Sequence, residues 1–333
     1  MSLDRLMRRA GPLLILIILL AALSLFVPDF LGSRNLRGLA LSVTLVGTIA
    51  TTMMLVLAMR EVDLSVGSIV ALSGVLTAVV IASTGSVTLG IVAGLVGGAL
   101  VGAFNGAVVA WLKVNSLIVT LATMEIVRGL AFLVSGGESV AIPAEGFYRL
   151  GTDSFLGLNY PIWAMIGCFI VFGFVLNRTV FGRNVLAIGG NPEAARLAGV
   201  PITRVRIAVF ALQGLVAGLA GIILAARITS GQPNTSIGLE LAVISACVLG
   251  GVSLSGGVGT IGGVIVGVLI MGAAQNALNL LNVPTFYQYV VRGGILLVAV
   301  VLDRLRQTGS LPRLPSFRGA APRNPDESDA RHA

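Results

Sequence analysis

Ten apolar stretches follow one another along these 333 residues, at about 11–27, 39–58, 66–83, 89–112, 116–134, 161–177, 205–226, 238–254, 260–281 and 286–301. A helix needs about 20 apolar residues to cross the hydrocarbon of a bilayer. A chain that repeats such a stretch so often has lipid as its main solvent. Only 11% of the residues are charged, against roughly 25% in an average soluble domain. The expected fold is all-α: a polytopic membrane protein of about ten transmembrane helices. Boundaries are soft at 59–66 and 250–260, where broken or re-entrant helices are an alternative.

Charge sets the expected orientation. With both termini in the cytoplasm, the inside segments hold Arg5, Arg8, Arg9, Arg60, Lys113, Arg178, Arg183, Arg196, Arg204, Arg206 and six arginines from Arg304 to Arg331, which is 16 of the 22 basic residues. The outside segments hold Arg34, Arg37, Arg149 and Arg227, and Arg128 and Arg292 fall within spans. That asymmetry is the positive-inside pattern, so the net charge of +8 records topology rather than nucleic-acid binding. The chain divides into a cytoplasmic N-terminus (1–10), a membrane domain (11–302) with a long cytoplasmic loop (178–206), and a cytoplasmic tail (303–333). The tail is rich in Arg, Pro and Ser and is expected to be disordered. The first apolar run lacks a clear small-x-small cleavage site and is read as an uncleaved span.

Most bond-making chemistry is excluded. His332 is the only histidine, and Cys168 and Cys247 both sit in apolar runs, so neither a zinc cluster nor a Ser–His arrangement can be assembled. Lys113 is the only lysine and no G-K-[ST] exists, so there is no P-loop. Gly257, Gly259 and Gly262 match G-x-G-x-x-G, but between two membrane helices rather than after a strand. No catalytic residue, metal site or cofactor is expected on this chain.

The cytoplasmic loop contains Asn191-Pro192-Glu193-Ala194-Ala195-Arg196-Leu197-Ala198-Gly199. Asn191 suits an N-cap and Pro192 the first helical position. Glu193 suits the positive end of the helix dipole, and Gly199 suits a left-handed end. The spacing predicts a separate helix of about two turns, too short to stand alone, which needs the body of the protein or another chain as partner.

Glu193-Ala194-Ala195-x-x-x-Gly199 resembles the EAA loop of bacterial ABC importer permeases. Thr179 to Asn191, Asp63-Leu64-Ser65-Val66-Gly67-Ser68, Leu249 to Leu254 and Asn276 to Leu281 resemble the monosaccharide branch of that family. The likeness runs from about residue 11 to 306. It implies a permease subunit without enzymatic activity in the bacterial inner membrane, paired with a second copy. An ATPase dimer would hold ATP and Mg and grip the 191–199 helix, and a periplasmic binding protein would deliver the sugar. Segments such as Ile118 to Met124, Ser230 to Pro233, Ser245 to Gly251 and Gln288 to Gly293 place the likeness nearest the L-arabinose importers, with ribose, xylose and galactose as alternative cargoes. The chain departs from the branch at Arg60-Glu61-Val62, where Gly-Gly-Ile is common; the two charges are read as neutralising each other at the interface.

Polar residues inside the spans are the candidates for the translocation path: Asp63, Ser65, Asn105, Glu125, Arg128, Gln275, Asn276 and Asn279. Each has an alternative. Glu125 and Arg128 share a helix face and are expected to pair. The amides also suit interhelical hydrogen bonds, and Asp63 and Ser65 also suit capping of the next helix. An ion-coupled secondary transporter, with Glu125, Glu240 and Asp63 carrying ions, is the second function the residues allow. Gly90, Gly94, Gly98, Gly102 and Gly106 recur every four residues, as do Gly259, Gly263 and Gly267. Such stripes permit close helix contact in lipid. The outside loop 135–160 is either a connector or a surface for a soluble partner.

Overall fold

A computed structural model describes residues 3–308, with side chains over 11–301. Its helices are α1 (Leu3–Phe26), α2 (Ser33–Ser42), α3 (Thr44–Ala58), α4 (Val66–Thr84), α5 (Val87–Trp111), α6 (Ser116–Ser135), α7 (Glu145–Thr152), α8 (Tyr160–Arg178), α9 (Val180–Gly190), α10 (Pro192–Leu197), α11 (Ile202–Ile228), α12 (Leu239–Leu249), α13 (Ile261–Leu280) and α14 (Thr285–Thr308). Four two-residue strands, β1 (Val140–Ala141), β2 (Ser154–Phe155), β3 (Leu158–Asn159) and β4 (Ser230–Gly231), form the antiparallel pairs β1–β4 and β2–β3. The tail expected from 303 is helical as far as Thr308, and 309–333 lie outside the described residues.

Among the described residues six helices, α4, α5, α6, α8, α11 and α13, are long and apolar enough to cross a membrane. A seventh span results if α2 and α3, bent by 40° at their junction, are one. Gly11–Phe26, Leu239–Leu249 and Thr285–Val301 are shorter apolar helices. Each apolar stretch read from the sequence coincides with one of these elements.

The core forms around α3, whose residues from Ile49 to Ala58 are fully buried. It is enclosed by α8, α11, α12 and α13. α4 is apolar all round and is buried on nearly every side, as such a helix must be inside a bundle.

Glycine decides how α5 meets its neighbours. Gly90 and Gly94 press on Thr77 and Ile81 of α4. One turn further on, a Cβ at Gly98 would collide with the carbonyl oxygen of Gly214, and one at Gly102 with that of Phe210. The α5–α11 contact is therefore backbone on backbone, a packing that only small residues allow. The second stripe does the same between α13 and α12, where Gly263 meets Gly250 and Gly267 meets the carbonyl of Ala246.

Neither soft boundary is helical, and the one bent helix pair among the described residues is α2–α3. After α11 the chain descends beside α4: Gly231 lies against Gly74 and Val75, and Ser236 and Glu240 lie against Gly67 in the first turn of α4. α12 thus starts within the bundle and leads to the helix-free stretch 250–260, where Gly257 N–H donates to Ala58 O at 2.8 Å. The segment between α3 and α4 is likewise not helical. It runs along the start of α6, with Val62 N–H donating to Ser116 Oγ and Leu64 N–H to Thr120 Oγ1, both at 3.1 Å.

The 135–160 loop folds over one end of the bundle. Phe147 of α7 and Ile142 are at most 1% exposed and pack with Ala78, Ile81, Ile222 and Ala226. Its only described ion pair, Glu145 with Arg149 at 3.7 Å, is largely exposed and contributes little.

Candidate functional site

The loop helix is built from local chemistry alone. Asn191 Oδ1 accepts from the N–H groups of Glu193 and Ala194, each at 3.1 Å. Pro192 opens the helix, and Arg196 pairs with Glu193 at 2.5 Å along its surface. At the far end Gly199 adopts φ +79°. Its N–H donates to Arg196 O and that of Val200 to Ala195 O, both at 3.0 Å, which together make a Schellman motif. Both helix ends are satisfied without help from the body. Of 191–199 only Ala195 is buried, while Leu197 is 80% exposed. The result is a pre-formed apolar knob presented to whatever binds this face.

The candidate path residues separate into groups. Asp63, Ser65 and Asn105 are fully buried and connected: Ser65 N–H and Oγ–H donate to Asp63 Oδ1 at 2.9 and 2.6 Å, and Asn105 Nδ2 donates to Ser65 Oγ at 2.9 Å. Ser65 stands at the N-cap position of α4, but its side chain makes no cap bond. Its hydroxyl is committed to Asp63 instead, so Ser65 does not cap α4 with its side chain, while Asp63 accepts the Ser65 N–H just ahead of the helix. Asp63 Oδ2 and Asn105 Oδ1 have no partner among the described residues. Buried acceptors left open in this way are costly.

Glu125 and Arg128 do not pair. Arg128 Nη1 donates to Pro233 O and Thr235 O, both at 2.7 Å, and so clamps the descending segment before α12. The guanidinium is held by these two carbonyls, while Glu240 and Glu125 act on it only through longer-range attraction. Glu125 remains exposed on α6, between the exposed Leu121, Ile126 and Gly129.

Gln275, Asn276 and Asn279 belong to a third group near the other end of the bundle. Asn276 and Asn35 exchange amide hydrogen bonds at 2.8 and 2.9 Å, tying α13 to α2. Gln288 of α14 accepts from Gln275 and donates to Asn279 at 3.1 Å, and Arg292 donates to Gln275 at 3.2 Å. Gln275 and Arg292 border a cavity of about 280 Å³ together with Ser42 and Ser236. The amides therefore do join helices, and one of them also faces open space.

A protein-family profile, described as branched-chain amino acid transport system / permease component, matches residues 35–300. The chain belongs to that family. The permease is 61% identical over 303 residues to the L-arabinose ABC transporter permease protein AraH of Azospirillum brasilense, covering 91% of this chain and 89% of that one. It is 56% identical to the L-arabinose transport system permease protein AraH of Escherichia coli K12, covering 92% and 93%. It is 44% identical to the ribose import permease protein RbsC of Bacillus subtilis, covering 90% and 94%. No solved structure matches the permease. As a member of this family it is a multi-pass protein of the inner membrane and a transport subunit rather than an enzyme.

Sequence reasoning missed several residues that organise the permease. Gln288 and Arg292 stand four apart on α14, a spacing that puts both on one face toward Gln275. Arg60 and Glu61 do not neutralise each other: Arg60 Nη2 donates to Gly190 O at 2.8 Å, and Glu61 pairs with Arg206 at 2.9 Å. Adjacent residues in a chain rarely face one another, so the sequence held a warning against the first reading.

Proposed function

We propose that the permease is the membrane-spanning subunit of an ATP-binding cassette importer that carries L-arabinose inward. The cargo follows the names of its relatives, at 61% and 56% identity. The observation that carries the mechanism is α10. A helix capped at both ends, with Leu197 held out from the body, is built to enter a partner's groove. Residues Asn191 to Gly199 would dock an ATPase subunit that binds ATP and Mg, and a periplasmic protein would deliver the sugar on the opposite face. The proposed topology has ten spans with both termini cytoplasmic; six long helices, the bent pair and three shorter apolar helices support that count, and the arginine asymmetry supports the orientation. The domain divisions at 10 and 302 follow from that topology. The sugar would pass near the polar groups of Asp63, Ser65, Asn105, Arg128, Gln275, Asn276 and Asn279.

Glu125 supports a second copy of the chain. A charge on a lipid-facing surface costs several kcal/mol, so the exposed face of α6 calls for a covering protein or a water-filled path. In the homodimer this face lines the axis. Oxidation of a Glu125→Cys variant in membranes is expected to give a cross-linked dimer, since the native Cys168 and Cys247 are buried. A variant that stays monomeric on gels under oxidant removes α6 from the dimer axis.

The cargo is tested by uptake of labelled L-arabinose in cells with and without the permease, with unlabelled ribose, xylose and galactose as competitors. Loss of uptake on deletion, unaffected by the competitors, is the expected result. Unchanged arabinose uptake together with a fall for another sugar reassigns the cargo.

A further inference from the structure

We infer that Arg60, Glu61 and Arg206 form a strap that transmits the motion of the docking helix to the buried Asp63–Ser65–Asn105 cluster. This rests on the docking role proposed for α10 and goes beyond it by naming the residues that carry the motion inward.

The strap begins where α9 leads into α10. Gly189 is buried, and a Cβ there would collide with the carbonyl oxygen of Ala58 at the end of α3. The adjacent Gly190 carbonyl accepts from Arg60 Nη2 at 2.8 Å. α3 ends in a Schellman motif, with Arg60 N–H donating to Leu57 O at 2.9 Å and Glu61 N–H to Val56 O at 3.2 Å. Arg60 occupies the left-handed position of that motif, at φ +65°, where glycine is the favoured residue. An arginine that accepts this backbone conformation does so with its side chain committed to the loop carrying α10.

Glu61 continues the connection. Its carboxylate lies 2.9 Å from Arg206 Nε of α11, an ion pair by proximity rather than by hydrogen-bond alignment, and with the side chains only 12% and 20% exposed it is screened less than a surface pair. Arg206 lies in the second turn of α11, the helix that follows α10. The docking helix is thus gripped on both sides, through Gly190 before it and Arg206 after it, by two consecutive residues of one short segment.

The same segment leads into the bundle. Val62 and Leu64 donate backbone hydrogen bonds to Ser116 and Thr120 of α6, and the next residues are Asp63 and Ser65, bound to each other and to Asn105 of α5. Seven residues of chain, from Arg60 to Val66, therefore connect the docking helix with α5, α6 and the start of α4. The open acceptors Asp63 Oδ2 and Asn105 Oδ1 stand at the far end. A pull on α10 re-aims them without any large helix movement.

The test uses the complete transporter, permease with its ATPase and binding protein, in proteoliposomes, and reads sugar moved per ATP hydrolysed. Glu61→Gln and Arg206→Gln are each expected to lower that ratio at least about fivefold while the ATPase subunit still copurifies. The exchanged pair Glu61→Arg with Arg206→Glu is expected to recover at least about half of it. Arg60→Gln removes one exposed donor, so it keeps the test available if the buried-pair variants fail to accumulate, and its ratio is also expected to fall. An unchanged ratio in Arg60→Gln and in whichever pair variants accumulate overturns the strap. So does a fall that occurs only with loss of the ATPase, since that is a docking defect. Leu197→Asp separates the two claims: normal transport in that variant removes the docking role, whereas its failure alongside intact strap variants removes the strap alone.

Discussion

Replacing Leu197 with aspartate is expected to reduce uptake at least about tenfold while leaving the permease in the membrane at its normal level. Leu197 is 80% exposed, so the folded chain loses no packing when it changes. What is lost appears only on docking. Burying a leucine side chain is worth about 1.5–3 kcal/mol, and about 1.4 kcal/mol is a factor of ten in a binding constant. An aspartate in the same groove adds the cost of desolvating a charge. Copurification of the ATPase and uptake of labelled sugar, measured on the same membranes, check this. Wild-type uptake with the ATPase retained rules out α10 as the docking element.

Replacing Gly214 with valine is expected to prevent the permease from accumulating. A Cβ at this position meets the carbonyl oxygen of Gly98 and lies 2.8 Å from the backbone nitrogen of Gly102. Neither is a flexible side chain, so α5 and α11 must separate along the whole contact. Overpacking of this kind costs about 1–3 kcal/mol in ordinary cores, and more where the obstacle is backbone. A loss of that size lowers the amount of protein several-fold in cells. Gly167→Ala is the matched control, because nothing lies within 4 Å of its added carbon, and it is expected to keep the normal level. Equal amounts of the two variants on a quantitative membrane blot would show that the α5–α11 contact is not close in the membrane.

The parts of this molecule written in short-range chemistry are legible in the sequence. α10 is the clearest, because its cap, first-turn proline and terminal glycine lie within nine residues and need nothing else to act. The period-four glycines of α5 announce a close contact but not its partner. Gly214 and Gly218 of α11 are equally small and equally spaced, yet many other glycines compete for the same reading. The misread pairs share one cause. A sequence suggests Glu125 for Arg128 and Glu61 for Arg60, because charged partners are visible in it. Arg128 and Arg60 in fact hold backbone carbonyls of Pro233, Thr235 and Gly190, and a carbonyl, being present on every residue, leaves no signal. The descent into α12 beside α4 leaves no such signal, since it depends on Gly67 meeting Ser236 and Glu240, and Gly231 meeting Gly74, across more than 150 residues.

The backbone contact between α5 and α11 also fixes a timetable for assembly. Gly98 and Gly214 are 116 positions apart, and a ribosome adding about 5–20 residues per second needs roughly 6–23 s to bridge that gap. During that interval α4 covers Gly90 and Gly94, while the groove at Gly98, Gly102 and Gly106 stays open to lipid or to a holding factor. The nascent permease therefore waits half-built: this interface closes only when α11 leaves the insertion machinery, and the glycine contact of α13 with α12 forms later still.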